Sequence, residues 1–331
     1  MYFYAEIKEE ILVLLYIHHP RDVRYLRRRS LRMASDRTLD EHLQLSKIAN
    51  CDVFTGNGIP TIWGRLFGGQ ILAQSLLAAA ETVPTDYIPN SLHAYFVRTG
   101  NSRKSIMYSV ERLFSGRSFH TRRVTASQEN KPIFTLTMQF AKANQPGGMY
   151  QTPPEEIASV LRNIFTTNNL RRSSKIRIRS LTDLPSPDEM VTQGYELMSD
   201  SMTGNIERIT IARGSRWLLQ WTRHKRKIQS DAMAVHMAIF AFLSDHNMVS
   251  IVRQPHEIAG NGDDVSGFSA SLDHSIHFHR PFRVDAWHIV FYDTLISRNA
   301  RGTANAVFFN VNAELLASTK QECLVRPAAA L

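Results

Sequence analysis

Between Phe67 and Pro84 the chain reads FGGQILAQSLLAAAETVP, in which Ile71, Leu72, Leu76, Leu77, Ala79, Ala80 and Val83 leave few polar positions on any face. A helix that is apolar nearly all round is a buried helix. Gly68 and Gly69 precede it and Pro84 closes it, so a tight start and a sharp stop are expected. The period then changes. SIMYSVERL, FHTRRVTASQ and KPIFTLTMQF are rich in β-branched and aromatic residues, and in the last of them Phe134, Leu136, Met138 and Phe140 alternate with polar neighbours. FSGRS and QENKP between them read as hairpin turns. One buried helix followed by an antiparallel meander predicts an α+β unit in which a sheet wraps a helix.

The pattern recurs further along. SDAMAVHMAIFAFLSDHN predicts a second helix, apolar at Met233, Met237, Ile239, Phe240 and Leu243, with Ser230 or Asp231 as its N-cap. DAWHIVFYDTLIS, GTANAVFFNV and ELLASTKQECLV supply a second set of strands. Sliding one half over the other at an offset of 182 pairs Phe96 with Phe278, Arg98 with Arg280, Thr121 with Thr303, Thr137 with Thr319 and Gln139 with Gln321. Eight identities fall within positions 96–139, against about two or three by chance, which points to an internal duplication. The expected organisation is an extension over 1–38, a first unit over 39–145, a turn-rich connector over 146–190 and a second unit over 191–331, which accords with a length of 331 residues.

Composition narrows the partners. The formal net charge is +9, but Arg21 to Arg37 holds seven Arg against Asp22 and Asp36 and so contributes +5 of it. The rest of the chain is mildly basic. Neither that run nor TRHKRK at 222–227, expected in a loop, is interleaved with aromatic residues, so no nucleic-acid partner is expected. The apolar run Ile11–Ile17 is too short to span a bilayer and follows acidic Glu6, Glu9 and Glu10, where a signal peptide would be basic. With only Cys51 and Cys323, far apart, neither a disulfide framework nor a structural zinc site is expected. These features together predict a soluble protein of a reducing compartment, without stable membrane insertion.

The stretch SLDHSIHFHRP at 271–281 looks like a metal site. On a strand, Asp273, His277 and His279 share one face and His274 takes the other. The repeat, however, sets Leu92, Tyr95 and Val97 opposite His274, His277 and His279, and none of these can ligate. The expectation is therefore a half-exposed strand with local hydrogen bonds, no metal, and an architectural Arg280 that matches Arg98. No G-x-S-x-G elbow, Walker loop or dinucleotide fingerprint occurs, and Cys323 reads as a small strand residue. What remains is Asp245 at the C-terminal end of an apolar helix, where the helix dipole is negative. Either solvent or some partner must compensate it, and the two readings stand even.

At this point the residues resemble the acyl-CoA thioesterase II family, the double hotdog thioesterases that include peroxisomal long-chain enzymes of eukaryotes. The motifs are RLFGGQILAQSL, NSLHAYFVRTG, ERLFSGRSFHTRRVTASQ, PIFTLTMQF, FLSDHN, SLDHSIHFHRPF and LLASTKQECLVRP, in order over residues 39–327. The resemblance implies two helix-wrapped hotdog units in one chain and hydrolysis of fatty acyl-CoA to fatty acid and CoA. It further implies a water activated by Asp245, Ser271 and Gln321. The hydroxyl position is often Thr in bacterial relatives and is Ser here. N–H groups at a helix start near Gly68, Gly69 and Gln70 are the expected substrate-binding donors for the oxyanion. No metal or redox cofactor is implied, and a homo-oligomer is. Phosphates of CoA suit a mildly basic surface, and the acyl chain needs an apolar channel between the units. The family places the chain inside the cell, in cytoplasm or organelle; it ends RPAAAL rather than in an S-K-L type signal, so peroxisomal import by that signal is not expected. Two rival functions are a catalytically silent acyl-CoA binding or scaffold protein and a hotdog hydratase or dehydratase. The second is disfavoured because no His and carboxylate pair stands at the start of either helix.

Overall fold

The computed structural model describes residues 38–61, 64–143, 145–151, 184–200, 202–259 and 267–326. The extension before Thr38, most of the connector and the terminal PAAAL lie outside these residues. In the first half, α1 (Leu39–Leu43), β1 (Ser46–Lys47) and β2 (Val53–Gly56) lead to α2 (Gly68–Ala80), then to β3 (Tyr87–Phe96), β4 (Ile106–Ser115), β5 (Phe119–Gln128) and β6 (Lys131–Lys142). The connector carries α3 (Pro187–Thr192). The second half opens with β7 (Met198–Ser199), β8 (Ile206–Arg213), β9 (Trp217–His224), α4 (Met233–Ser244) and α5 (Met248–Ala259). It closes with β10 (Ser269–Ser271), β11 (Asp273–Phe278), β12 (His288–Arg298), β13 (Arg301–Phe309) and β14 (Leu315–Val325).

All strands join one antiparallel sheet in the order β1-β2-β4-β5-β6-β3-β11-β14-β13-β12-β9-β8-β7, with β10 beside β14. The order is palindromic about the β3–β11 pair, as two copies of one unit joined edge to edge require. At its centre His93 stands opposite Ser275, with Tyr95 opposite Asp273 and Ser91 opposite His277. The duplication inferred at an offset of 182 is thus the pseudo-twofold relation of the sheet. Its bulges repeat as well, between Arg112 and Phe114 in one half and between Thr294 and Ile296 in the other. Arg98 donates to the carbonyl of Pro132, and Arg280 to that of Leu315, the equivalent place, which fits the architectural reading of both.

The inner face of the sheet is apolar because the strands alternate: Val124, Ala126, Phe134, Leu136, Met138 and Phe140 are buried with α2, and Ile276, Phe308 and Ala317 with α4. α2 and α4 are apolar all round because each is covered by the sheet and by the other. The apolar stretch Met233–Glu257 is long enough to cross a bilayer by length and composition, but most of it is buried in this core.

Several expectations need correction. Gly68 and Gly69 form the first turn of α2 rather than preceding it, with Phe67 at the N-cap. The N-cap of α4 is Ala232, whose N–H donates to Ser230 Oγ at 3.2 Å, so Ser230 closes a local turn and caps no helix. The run TRHKRK lies partly on β9, where Arg223 pairs with Glu207 at 2.8 Å and stacks 4.3 Å over the Trp287 ring. α5 was not expected, because Pro255 within it argues against a helix. It fills space over Gly302, where an added Cβ would meet Val252. Among the described residues of the first half there is no such helix, and the corresponding positions hold His120 and the buried Arg122, whose guanidinium bonds Thr82 at the end of α2.

The largest correction concerns register. The β5–β6 turn has two residues, Glu129 and Asn130, both at positive φ, as a tight hairpin needs. The β13–β14 turn, closed by the Asn310 N–H donating to the Glu314 carbonyl, is one residue longer. Consequently Arg122 faces Met138 where Ala304 faces Gln321. Met138, not Gln139, is the structural counterpart of Gln321, and Thr137 and Gln139 turn to the outer face while Thr319 and Gln321 point inward. A one-residue slip reverses the face of every side chain beyond it.

Candidate active site

α4 ends because Asn247 takes φ 66, and Asp245 stands at its C-cap with 7% of its surface exposed. A carboxylate there meets the negative end of its own helix and loses its hydration. The start of α2 supplies the compensation. Phe67 offers no side-chain cap to α2, and its first turn contains no acidic residue. The Gly69 N–H instead bonds the Asp245 carboxylate, so the acid at the end of one helix caps the start of the other. The approach requires glycine. A Cβ on Gly69 would collide with the Phe242 carbonyl, and one on Gly68 would stand 2.6 Å from Asp245 Oδ2.

Two further groups converge on the carboxylate. Ser271, at the end of β10, donates its hydroxyl to Asp245 Oδ1 at 3.3 Å. Gln321, buried on β14, donates from Nε2 to Ser271 Oγ at 2.7 Å and also hydrogen-bonds Asp245. Burial raises the Asp245 carboxyl above its ordinary value; the neighbouring His274 and the bonds from Gly69, Gln321 and Ser271 oppose that rise. The set is a carboxylate held by three donors beside a half-exposed hydroxyl, an arrangement able to receive a proton from a bound water.

The structure therefore brings Asp245, Ser271 and Gln321 together, with Gly68 beside them; the Gly69 N–H, expected to serve the oxyanion, is taken instead by the Asp245 carboxylate. Gln70 is turned to structural work: its N–H donates to the Phe67 carbonyl, its Oε1 accepts from the Ile59 N–H at 2.9 Å, and its Nε2 donates to the Asn57 carbonyl at 2.7 Å. Cys323 is buried beside Gln321, and burial pushes its thiol up to about 12, so it is protonated near neutrality. Of the histidines, His277 is exposed against the His93 ring at 5.5 Å and His279 meets Ser318 Oγ at 3.0 Å. Asp273 accepts the Glu322 N–H at 2.6 Å.

His274 departs from the half-exposed reading. It is 1% exposed, its Nδ1 lies 2.5 Å from Gln321 Oε1 and its Nε2 3.0 Å from Ser244 Oγ. Burial depresses its pKa, with Asp245 and Gln321 opposing. Sequence reasoning passed over it, although one signal was present. At the repeat offset it stands where the other half has Leu92, an inward position, and a polar ring at an apolar inward position must find partners.

The chain is similar to known proteins along most of its length. The acyl-CoA thioesterase family model matches residues 212–324, and that of the acyl-CoA thioesterase N-terminal domain matches residues 59–141. Acyl-coenzyme A thioesterase 8 of Homo sapiens is 30% identical over 285 residues, 83% of this chain and 85% of that one. Acyl-CoA thioesterase 2 of Haemophilus influenzae is 28% identical, over 86% of this chain and 95% of its own. Among solved structures, an acyl-CoA thioesterase II from Mycobacterium marinum superimposes with a TM-score of 0.69 at 24% identity, covering 89% of this chain and all of that one. A hot dog fold protein from Alicyclobacillus acidocaldarius superimposes with a TM-score of 0.65 at 14% identity, covering 88% and 99%. The fold is the double hotdog expected from the sequence.

Proposed function

The chain belongs to the acyl-CoA thioesterase II family, and on that footing we propose that it hydrolyses fatty acyl-CoA to a free fatty acid and CoA through a water activated by Asp245, with Ser271 and Gln321 orienting that water. The observation that carries the assignment is the convergence of Gly69, Ser271 and Gln321 on one buried carboxylate. In the ionised state Asp245 accepts a proton from the water as its oxygen attacks the thioester carbonyl carbon. The tetrahedral oxyanion collapses, the carbon–sulfur bond breaks, and the CoA sulfur leaves with the electron pair and takes the proton back from Asp245. Ser271 and Gln321 lower the barrier by fixing the water before attack rather than during it. Gly68, partly exposed beside Asp245 at the start of α2, borders the space in which the thioester lies. Exposed apolar residues of the outer face, among them Tyr95, Phe114, Leu295 and Ile296, give the proposed homo-oligomer a surface.

The test is thiol release from acyl-CoAs of short, medium and long chain, followed with a thiol-reactive dye, for wild type and Asp245→Asn. Turnover by the wild type and a fall of about 100-fold or more in the variant are expected. Saturable binding without turnover on any chain length would overturn hydrolysis in favour of a silent binding protein. Altered acyl chains without free thiol would favour a hydratase.

A further inference from the structure

Asp245 and Ser244 are neighbours at the end of α4, and the side chains leading from one to the other form a closed relay. Ser244 Oγ meets His274 Nε2 at 3.0 Å, His274 Nδ1 meets Gln321 Oε1 at 2.5 Å, Gln321 Nε2 meets Ser271 Oγ at 2.7 Å, and Ser271 Oγ meets Asp245 Oδ1 at 3.3 Å. Every link is directional. A carboxylate only accepts, so Ser271 must give it the hydroxyl hydrogen, and Ser271 Oγ must then accept from an N–H. A carboxamide presents an N–H or a carbonyl oxygen according to which way it is turned. Rotated by half a turn, Gln321 would aim its oxygen at Ser271 and at the carboxylate, drawing the hydroxyl away from Asp245 and setting two acceptors against each other. The atom on its other side is His274 Nδ1, and a hydrogen on that nitrogen would select the productive orientation.

We propose that His274 is a positioning residue for hydrolysis: its Nδ1–H fixes the Gln321 carboxamide with Nε2 toward Ser271 and Asp245, while Ser244 Oγ stands 3.0 Å from both His274 Nε2 and the Ala241 carbonyl. The inference rests on the proposed water-activating set and extends it by one residue that touches neither water nor substrate. The burial of His274 supports it, since a ring closed off from solvent keeps its two partners. So does the twin half of the fold. Leu92 occupies the matching inward position and Met138 the position of Gln321, so where the amide is absent the ring is absent too.

The full chain is assayed for thiol release as wild type, His274→Leu, His274→Met and His274→Asn, with melting followed alongside. Leu is the residue the twin half packs at this site, and Asn places an N–H close to where Nδ1 stands. His274→Leu is expected to lower kcat about 30-fold with KM within about twofold, and His274→Asn to stay within about fivefold of wild type. In a Gln321→Ala background, His274→Leu should change kcat by less than about threefold, because the group it orients is gone. Normal kcat in folded His274→Leu, equal losses in the Leu and Asn variants, or additive losses with Gln321→Ala would each overturn the assignment. Should His274→Leu fail to fold, His274→Met carries the test, since Met fills the site without an N–H: the same loss supports the assignment and unchanged turnover overturns it. Full activity of Asp245→Asn would remove the water-activating reading and this inference together. Loss in Asp245→Asn with normal turnover in His274→Leu removes this inference alone.

Discussion

Asp245 Oδ2 lies 2.6 Å from the point where Gly68 would carry a Cβ, and the Phe96 ring closes the same space at 3.0 Å. The start of α2 and the end of α4 thus meet with no room between them, and the missing side chain is what allows a carboxylate to act as cap for a helix of the other unit. Gly68→Ala should therefore displace the carboxylate. On an open helix the change would stabilise by about 0.5–1 kcal/mol. Here a lower melting temperature and a loss of kcat of about tenfold or more are expected, read by thermal unfolding and by thiol release.

The same burial sets function against stability at Asp245. Its carboxyl is raised in the folded protein, so above the ordinary carboxylate range the unfolded chain ionises freely while the folded chain holds a desolvated charge. Removing the charge should relieve the fold. Asp245→Asn is expected to melt at a higher temperature than wild type at pH 7 while losing activity, and calorimetry of the two proteins checks the direction. A lower melting temperature would mean that the bonds from Gly69, Ser271 and Gln321 outweigh desolvation.

Dependence of rate on pH follows from that direction. A base works only when deprotonated, so kcat/KM should fall as pH drops, with its acidic limb above the ordinary aspartate value of 3.8. The Ser271 bond favours the ionised carboxylate. Ser271→Ala should accordingly move the limb to still higher pH as well as lower the plateau, whereas Ser271→Thr, which keeps the hydroxyl, should leave the limb in place. A pH–rate profile of the three proteins decides.

Acid should also weaken the fold at a site remote from Asp245. His288 is buried against the Phe282 ring at 5.4 Å, its Nδ1 has no partner, and burial pushes its pKa down to about 4 from the ordinary 6.5. With the folded value depressed, its contribution is complete above about pH 6.5 and is lost as pH falls toward 4, because the unfolded chain binds the proton first. The gap corresponds to a loss of up to about 3 kcal/mol. His288→Phe should flatten the fall of melting temperature across that interval, and unchanged steepness would assign the acid sensitivity elsewhere.

Much of this molecule is local in origin and could be read along the chain. The alternation of Phe134, Leu136, Met138 and Phe140 specifies a strand with one buried face, the largely apolar character of residues 71–80 specifies a covered helix, and the turns at Gly116 and at Glu129–Asn130 stand where their residues require. The repeat, with Arg98 and Arg280 on equivalent carbonyls, was legible as well. β8 and β9 were not: WLLQWTRH is buried along most of its length and shows no alternation. α5 was hidden by Pro255.

The site divides in the same way. Asp245 drew notice because a carboxylate at a helix C-terminus is a local anomaly, and its family motif named Ser271 and Gln321. No local pattern showed what balances the carboxylate, since the Gly69 N–H arrives from the other unit, nor that His274 holds the amide from behind. Gln139 and Gln321 make the reason plain. They align by residue type, yet a turn longer by one residue sends them to opposite faces of the sheet. Periodicity and turn chemistry belong to neighbours in the chain and were determined by the sequence alone, whereas the start of α2 takes its cap from Asp245 on another helix. The facing of Gln321, the charge balance of Asp245 and the partners of His274 depend on distances between segments far apart in the chain, and those only the packed tertiary structure decides.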